Sequence, residues 1–154
     1  MPSTLTLNSR GEYALIAMVE LTRTDSKNPL PLTKIAANAG ISLSYLEQLV
    51  SGLRRHGLVK SYRGPGGGYL LNKSADEIMI TDILRASEDN APAKRKKTKT
   101  GKTNPCEHTH ALWEHIGRIL SATLCEITLH DVLHNQLEHH PHARKLFETI
   151  GKIA

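Results

Sequence analysis

Residues 41–71, ISLSYLEQLVSGLRRHGLVKSYRGPGGGYLL, constrain the fold more tightly than any other stretch of this chain. Leu46, Leu49, Val50 and Leu53 recur at i, i+3, i+4 and i+7, which gathers four apolar side chains on one face of a helix. Ser44, Tyr45, Glu47, Gln48, Ser51 and Arg55 fall on the opposite side. Ser42 or Ser44 can cap the start, Ser44 with Glu47 has capping-box spacing, and Gly57 ends the helix. Just upstream, LTKIAANA predicts a short helix that stops at Gly40, a residue type that tolerates the left-handed conformation. Two short helices joined by a tight glycine turn, the second turning small hydrogen-bonding residues and arginines outward, is the helix-turn-helix layout.

LVKSY and YLLNK then read as two short strands, with a glycine-rich loop between them. Such a loop beside a strand raises the question of a phosphate cradle. The spacing rejects it: a P-loop ends Gly-Lys-Ser/Thr, and the dinucleotide fingerprint needs a third glycine where Tyr69 stands. The reading that remains is a β-hairpin wing. Its glycines, Gly66 at the tip among them, let the backbone approach a sugar-phosphate wall; Pro65 stiffens the tip, and Arg63 is presented at its base.

The rest of the chain is predicted to be mainly α-helical. SRGEYALIAMVELTR, residues 9–23, carries Tyr13, Ile16, Ala17 and Leu21 at helical spacing, and TDSKNPLP breaks that helix. Residues 74–88 read as a turn and a short helix, which closes a winged helix-turn-helix domain at 1–88. Residues 89–104 are basic and poor in apolar side chains, so they are expected to form a flexible linker. Asn104 and Pro105 open a dimerisation region, 105–135, where Leu112, Ile116, Ile119, Leu120, Thr123, Leu124 and Ile127 keep one stripe for about four turns. A helix this apolar needs a surface to cover it, and a partner subunit is the expected one. Residues 136–154 form a His-rich tail.

Charge alone says little. The chain has a formal net charge of +5, but residues 91–104 hold six Lys or Arg and no acid, so the remainder sums to 5 − 6 = −1. The case for nucleic acid therefore rests on local arrangement. No apolar run approaches the roughly 18 residues of a membrane span, and the start lacks the layout of a signal peptide, so the expected compartment is the cytoplasm. The two cysteines, Cys106 and Cys125, are too few for a disulfide framework. Cys106, near a helix start and a run of lysines, is the more reactive of the two, and Cys125, near the apolar stripe, is expected to be packed.

SRGEYAL, the 41–71 block and THALW together resemble the iron-sulfur cluster regulator (IscR-like) family of bacterial winged-helix transcription factors. The likeness runs from about Leu5 to Asn135. It implies a homodimer whose long helix crosses its partner and whose two heads read a pseudo-palindromic operator in double-stranded DNA. By that likeness Ser44, Tyr45, Glu47 and Gln48 face the major groove, beside the capping Ser42, and Arg63 enters the minor groove. The chemistry agrees: Gln suits adenine, Glu accepts from cytosine N4, and Arg is drawn to a narrow, negative minor groove. Arg54, Arg55 and Lys60 are better placed for phosphates.

The sequence departs from the family at the sensor. Cluster-binding members place three cysteines near the loop before the dimer helix, with a further ligand such as histidine; here Cys106 stands alone, followed by His108 and His110. Three outcomes stay open. A 2Fe-2S cluster is held by an unusual set of Cys106, His110, Glu12 from the partner subunit and Cys125; or the chain is a cluster-free apo regulator; or Cys106, His108 and His110 bind zinc or ferrous iron. An enzyme is not expected, since the chain has no nucleophile elbow, P-loop, HExxH or carboxylate pair on a recognisable scaffold. A winged helix retained only for protein or metal binding is the other alternative to a regulator.

Overall fold

A computed structural model describes residues 8–23, 28–89, 107–137, 140, 141 and 144. Its elements run α1 (Ser9–Thr22), α2 (Leu32–Ala39), α3 (Leu43–Arg55), β1 (Val59–Tyr62), β2 (Gly68–Leu71), a 3₁₀ turn (Ala75–Glu77), α4 (Ile80–Glu88), α5 (Glu107–Leu124) and α6 (Leu129–Leu133). The fold is mainly α with a two-stranded antiparallel wing, as the sequence predicts.

Local chemistry starts and stops these helices. Asn8 caps α1 by accepting from Gly11 N at 3.0 Å, and Ser42, rather than a Ser44–Glu47 box, caps α3 by accepting from Tyr45 N at 3.3 Å. Gly40 closes α2 at φ 66°, which makes the turn into α3. Arg54 and Arg55 sit in the last turn of α3, where cations suit the helix dipole.

The α3 stripe is the centre of the core. Leu46, Leu49, Val50 and Leu53 are all fully buried. Leu46, Val50 and Leu53 share one cluster with Ala14, Met18, Ile35 and Ile83, so α1, α2 and α4 close over the inner face of α3. Burying each such side chain contributes about 1.5–3 kcal/mol. That packing anchors the inner face of α3 and leaves its outer face for recognition.

Two connections go beyond the predicted elements. The wing gains a rung on the far side of β2, because Leu30 and Tyr69 exchange backbone hydrogen bonds of 2.9 Å each. The predicted stripe of the long helix also ends sooner than its spacing suggests. α5 stops at Leu124, and Ile127 turns into the head instead, where Ile80 N donates to Ile127 O at 3.0 Å and Leu129 N to Ile78 O at 2.8 Å. Thr128 and Asp131 form a capping box that starts α6 at this point. Burial of Ile127 and Leu129 in the head core makes this elbow preferable to a longer straight helix.

Residues 90–104 of the predicted linker lie outside the described residues, as do Pro105, Cys106 and most of the tail from residue 138. Among the described residues, no helix is long and apolar enough to cross a membrane.

Candidate nucleic-acid interface

With its apolar stripe buried, α3 turns Ser44, Glu47, Gln48, Arg54 and Arg55 to solvent, along with the capping Ser42. Six polar or charged side chains thus line one exposed helical face. The helix is 13 residues long, or roughly 20 Å at 1.5 Å per residue, enough to lie along a major groove. Gln48 and Glu47 are adjacent on this face, a paired donor and acceptor beside an acceptor-only carboxylate.

The wing projects from the end of the same helix. β1 and β2 pair from Val59 with Leu71 to Tyr62 with Gly68, and residues 63–67 form the tip. Arg63, Gly64, Pro65 and Gly66 are all exposed, and Gly66 sits at φ 74°. Lys60 Nζ lies 5.9 Å from the Tyr62 ring centroid, a cation–π contact that lays the lysine along the outer face of β1.

Two of the candidate residues are held more closely than the sequence suggests. Tyr45 is half-buried: the Tyr13 ring meets it edge-on at 6.0 Å, and the Arg10 guanidinium lies 5.6 Å from its centroid. Arg55 Nη2 lies 3.1 Å from Asp89 Oδ2. Arg10 and Asp89 therefore belong to the architecture of this face, although spacing along the chain does not single them out. The signal that could have found Arg10 is its position three residues before Tyr13, one turn away on the same face of α1.

Among the described residues, the structure does not bring Glu12, the backbone of His110 and Cys125 together. Glu12 is exposed and lines an open, largely apolar groove of about 610 Å³ with Leu15, Leu84, Leu124 and Ile127. His110 lies in the first turn of α5, fourteen residues before Leu124, or roughly 21 Å of helix. Glu12 and His110 thus sit at opposite ends of α5. Cys125 follows the end of the same helix, so it too is about a helix length from the position that follows Cys106. It is also exposed, not packed as expected, because the chain bends at Leu124 and carries it off the stripe; its Sγ donates to Ala122 O at 3.1 Å. No group of three or more metal-ligating side chains occurs among the described residues. A standard cluster site takes four ligands, mostly thiolates, and the donors of a single chain do not fit one.

Comparison with known proteins gives these features a context. The sequence profile of the Rrf2 family, described as iron-dependent transcriptional regulator, matches residues 7–135. The HTH-type transcriptional regulator IscR of Klebsiella pneumoniae (strain 342) is 43% identical over 135 residues, spanning 84% of this chain and 80% of the relative. That of Photorhabdus laumondii is 42% identical over the same shares. Among solved structures, CymR, the global cysteine regulator of B. subtilis, superposes with a TM-score of 0.64 at 35% identity, covering 85% of this chain and 98% of CymR. T. potens IscR gives a TM-score of 0.64 at 32% identity, covering 86% and 88%.

Proposed function

The chain belongs to the Rrf2 family of transcriptional regulators, and from that premise we propose that it acts as a cytoplasmic homodimer whose two heads read a pseudo-palindromic operator in double-stranded DNA. Its role is that of a DNA-binding regulator and is non-enzymatic, like that of its relatives. Residues 1–88 form the reading head and residues 105–135 the dimerising part, joined by a basic linker at 89–104. The observation that carries this reading is the exposed polar face of α3 beside a wing that exposes Arg63. Ser42, Ser44, Tyr45, Glu47 and Gln48 lie along the major groove, Arg63 enters the minor groove, and Arg54, Arg55 and the Gly66 backbone meet the sugar-phosphate wall.

Dimerisation is supported by α5. Leu112, Trp113, Ile116 and Ile119 are exposed along it, a continuous apolar stripe close to the open groove beside Glu12. A second copy laid antiparallel across α5 covers both. It also carries the first turn of one α5 toward Glu12 of the partner subunit, the one route by which His110 and a Glu12 approach each other.

The regulated genes are proposed to be those of iron-sulfur, iron or redox-stress metabolism. The named relatives include both an IscR and a cysteine regulator, so family likeness does not choose the signal. If a 2Fe-2S cluster is present, Cys106, His110 and Glu12 of the partner subunit would hold it, and it would supply redox sensitivity. One thiolate per site favours the cluster-free regulator, and no step of DNA binding is routed through the cluster.

Selection from randomised duplex DNA tests the reading. The expected outcome is one enriched motif with dyad symmetry, bound with a steep salt dependence and resistant to competitor DNA. Absence of enrichment, or binding indifferent to salt, would make this a protein-interaction module. Iron and acid-labile sulfide measured on anaerobically purified protein, wild type beside Cys106→Ala, separates the cluster form from the apo form.

A further inference from the structure

Arg10 makes two contacts that meet at the start of the recognition helix. Its Nε donates to Ser87 O at 3.1 Å, in the last turn of α4, where the helix dipole leaves carbonyl oxygens partly negative. Its guanidinium carbon lies over the Tyr45 ring, 5.6 Å from the centroid, and the Tyr13 and Tyr45 rings meet edge-on, with their planes at 90°. Tyr45 is in the first turn of α3, and its own backbone N–H donates to the capping Ser42.

The surroundings leave Arg10 little freedom. Ser87 is buried and its Oγ donates to Leu84 O at 2.7 Å, so the carbonyl that receives Arg10 is itself fixed. Arg10 Nη2 is buried without a hydrogen-bond partner among the described residues. A buried donor without a partner costs free energy, so this position is set by the other contacts of the side chain. Reach and delocalised charge are what this geometry uses: Nε donates to α4 while the far end of the same group holds its charge over the Tyr45 ring, two contacts that the single compact ammonium of a lysine is poorly shaped to span.

We infer that Arg10 is a positioning residue for DNA recognition, which ties the first turn of α3 to the end of α4 through Tyr45 and so sets the angle at which Ser44, Glu47 and Gln48 meet bases. Arg10 does not touch the DNA in this account. The inference rests on the proposed DNA-reading role of α3 and adds to it a residue outside the reading face.

The test compares wild type, Arg10→Lys and Arg10→Gln on the operator selected by the wild type and on nonspecific duplex, across a salt series. Arg10→Lys keeps the charge and loses the guanidinium that spans Ser87 O and the Tyr45 ring, and it is expected to lower operator affinity about tenfold. Nonspecific affinity and the salt slope should stay at wild-type values, because no phosphate contact is lost. In a Tyr45→Leu background the same substitution should cost nothing further, as two residues acting through one contact require. The inference is overturned if the operator-to-nonspecific ratio is unchanged in both variants. It is equally overturned if the salt slope falls by about one, which would make Arg10 a phosphate contact, or if the Arg10 and Tyr45 effects simply add. Circular dichroism and retained nonspecific binding identify folded variants; should Arg10→Lys unfold, Arg10→Gln carries the same comparison. A wild type that selects no operator would sink the DNA-reading role as well, whereas selection with unaltered discrimination in the variants sinks this inference alone.

Discussion

Asp89 Oδ2 lies 3.1 Å from Arg55 Nη2 and 3.7 Å from His56 Nε2, a carboxylate set against the C-terminal end of the recognition helix. Both Asp89 and Arg55 are nearly half exposed, so the pair adds under about 1 kcal/mol to stability. Its consequence lies in binding, because the same carboxylate competes with DNA phosphate for Arg55. Asp89→Asn is expected to tighten nonspecific duplex binding by roughly three- to tenfold at low salt and to steepen the log–log salt slope by up to about 0.9. Fluorescence anisotropy over a salt titration reads both quantities. An unchanged slope would remove Arg55 from the phosphate-contacting set.

Gly68 shows how closely the wing is held to the head. A Cβ at this position would lie 2.5 Å from both the carbonyl carbon and the oxygen of Leu30, backbone atoms that cannot swing aside. Gly68→Ala must therefore push β2 off the Leu30 rung. A loss of about 1–3 kcal/mol in denaturant unfolding is expected, with weaker operator binding as Arg63 moves. Gly66→Ala is the control: nothing lies within 4 Å of its Cβ, so only the strain of φ 74° remains, about 1 kcal/mol. Equal costs for the two would mean that the Leu30–Tyr69 rung does not hold the wing.

The reading face itself divides into residues with different expected signatures. Glu47→Ala should leave tight binding and relax base choice, costing about 1–3 kcal/mol of discrimination at one base pair. Arg63→Ala should instead weaken operator binding and lessen preference for a narrow minor groove. Competition assays across operator variants distinguish the two patterns. Identical behaviour of both variants and wild type would mean that the exposed face of α3 is not the one that reads DNA.

What could be read from the sequence was local. Leu46, Leu49, Val50 and Leu53 announce α3 because a 3.6-residue period is written directly in residue spacing. The wing followed from two short apolar runs around glycines. Arg10 against Tyr45 and Leu30 against Tyr69 could not be read this way, since each pair joins elements more than 30 residues apart whose approach depends on how the head packs. Ile127 misled for a specific reason: it continues the helical spacing of the α5 stripe, yet the Thr128–Asp131 box that begins at the next position starts a new helix and redirects the chain. Cys125 was drawn into the same error. For Glu12 and His110 the difficulty is different, because Glu12 lies beside the C-terminal end of α5 and His110 in its first turn, a separation that residue types alone do not reveal.

The elbow that turns Ile127 inward should be sensitive to acid. Burial raises the Asp131 carboxyl, but hydrogen bonds from the Thr128 side chain and backbone outweigh it, with help from His140 at 3.2 Å, and the net shift is downward from 3.8. Hydrogen bonds with Ser74 lower Glu77 in the same way across the neighbouring 3₁₀ turn. A carboxyl lowered in the folded state contributes stability that is complete above its unfolded value and is lost as the pH falls through the folded one. Stability should accordingly decline as the pH drops below about 4. Asp131→Asn should cost about 1 kcal/mol at neutral pH and flatten the acid limb, leaving the part due to Glu77. Thermal melts between neutral pH and acid provide the check; an acid limb as steep in the variant as in the wild type would remove Asp131 from this role.

Trp113 is 63% exposed and Leu112 55% exposed on a helix that the head barely covers, which is costly apolar surface for a chain on its own. A large aromatic at the centre of a stripe that also contains Ile116 and Ile119 is the kind of side chain that dominates subunit association. Trp113→Ala is expected to weaken the dimer by about 2 kcal/mol or more, and Ile116→Glu to abolish it by burying an unpaired charge. Analytical ultracentrifugation reads the mass directly. Since two heads reading one pseudo-palindrome bind together, loss of the dimer should also reduce operator affinity to that of a half-site while leaving the melting of the head intact. A wild type that sediments as a monomer at micromolar concentration, or an Ile116→Glu variant that remains dimeric, would mean that this stripe is covered by something other than a second copy of the chain.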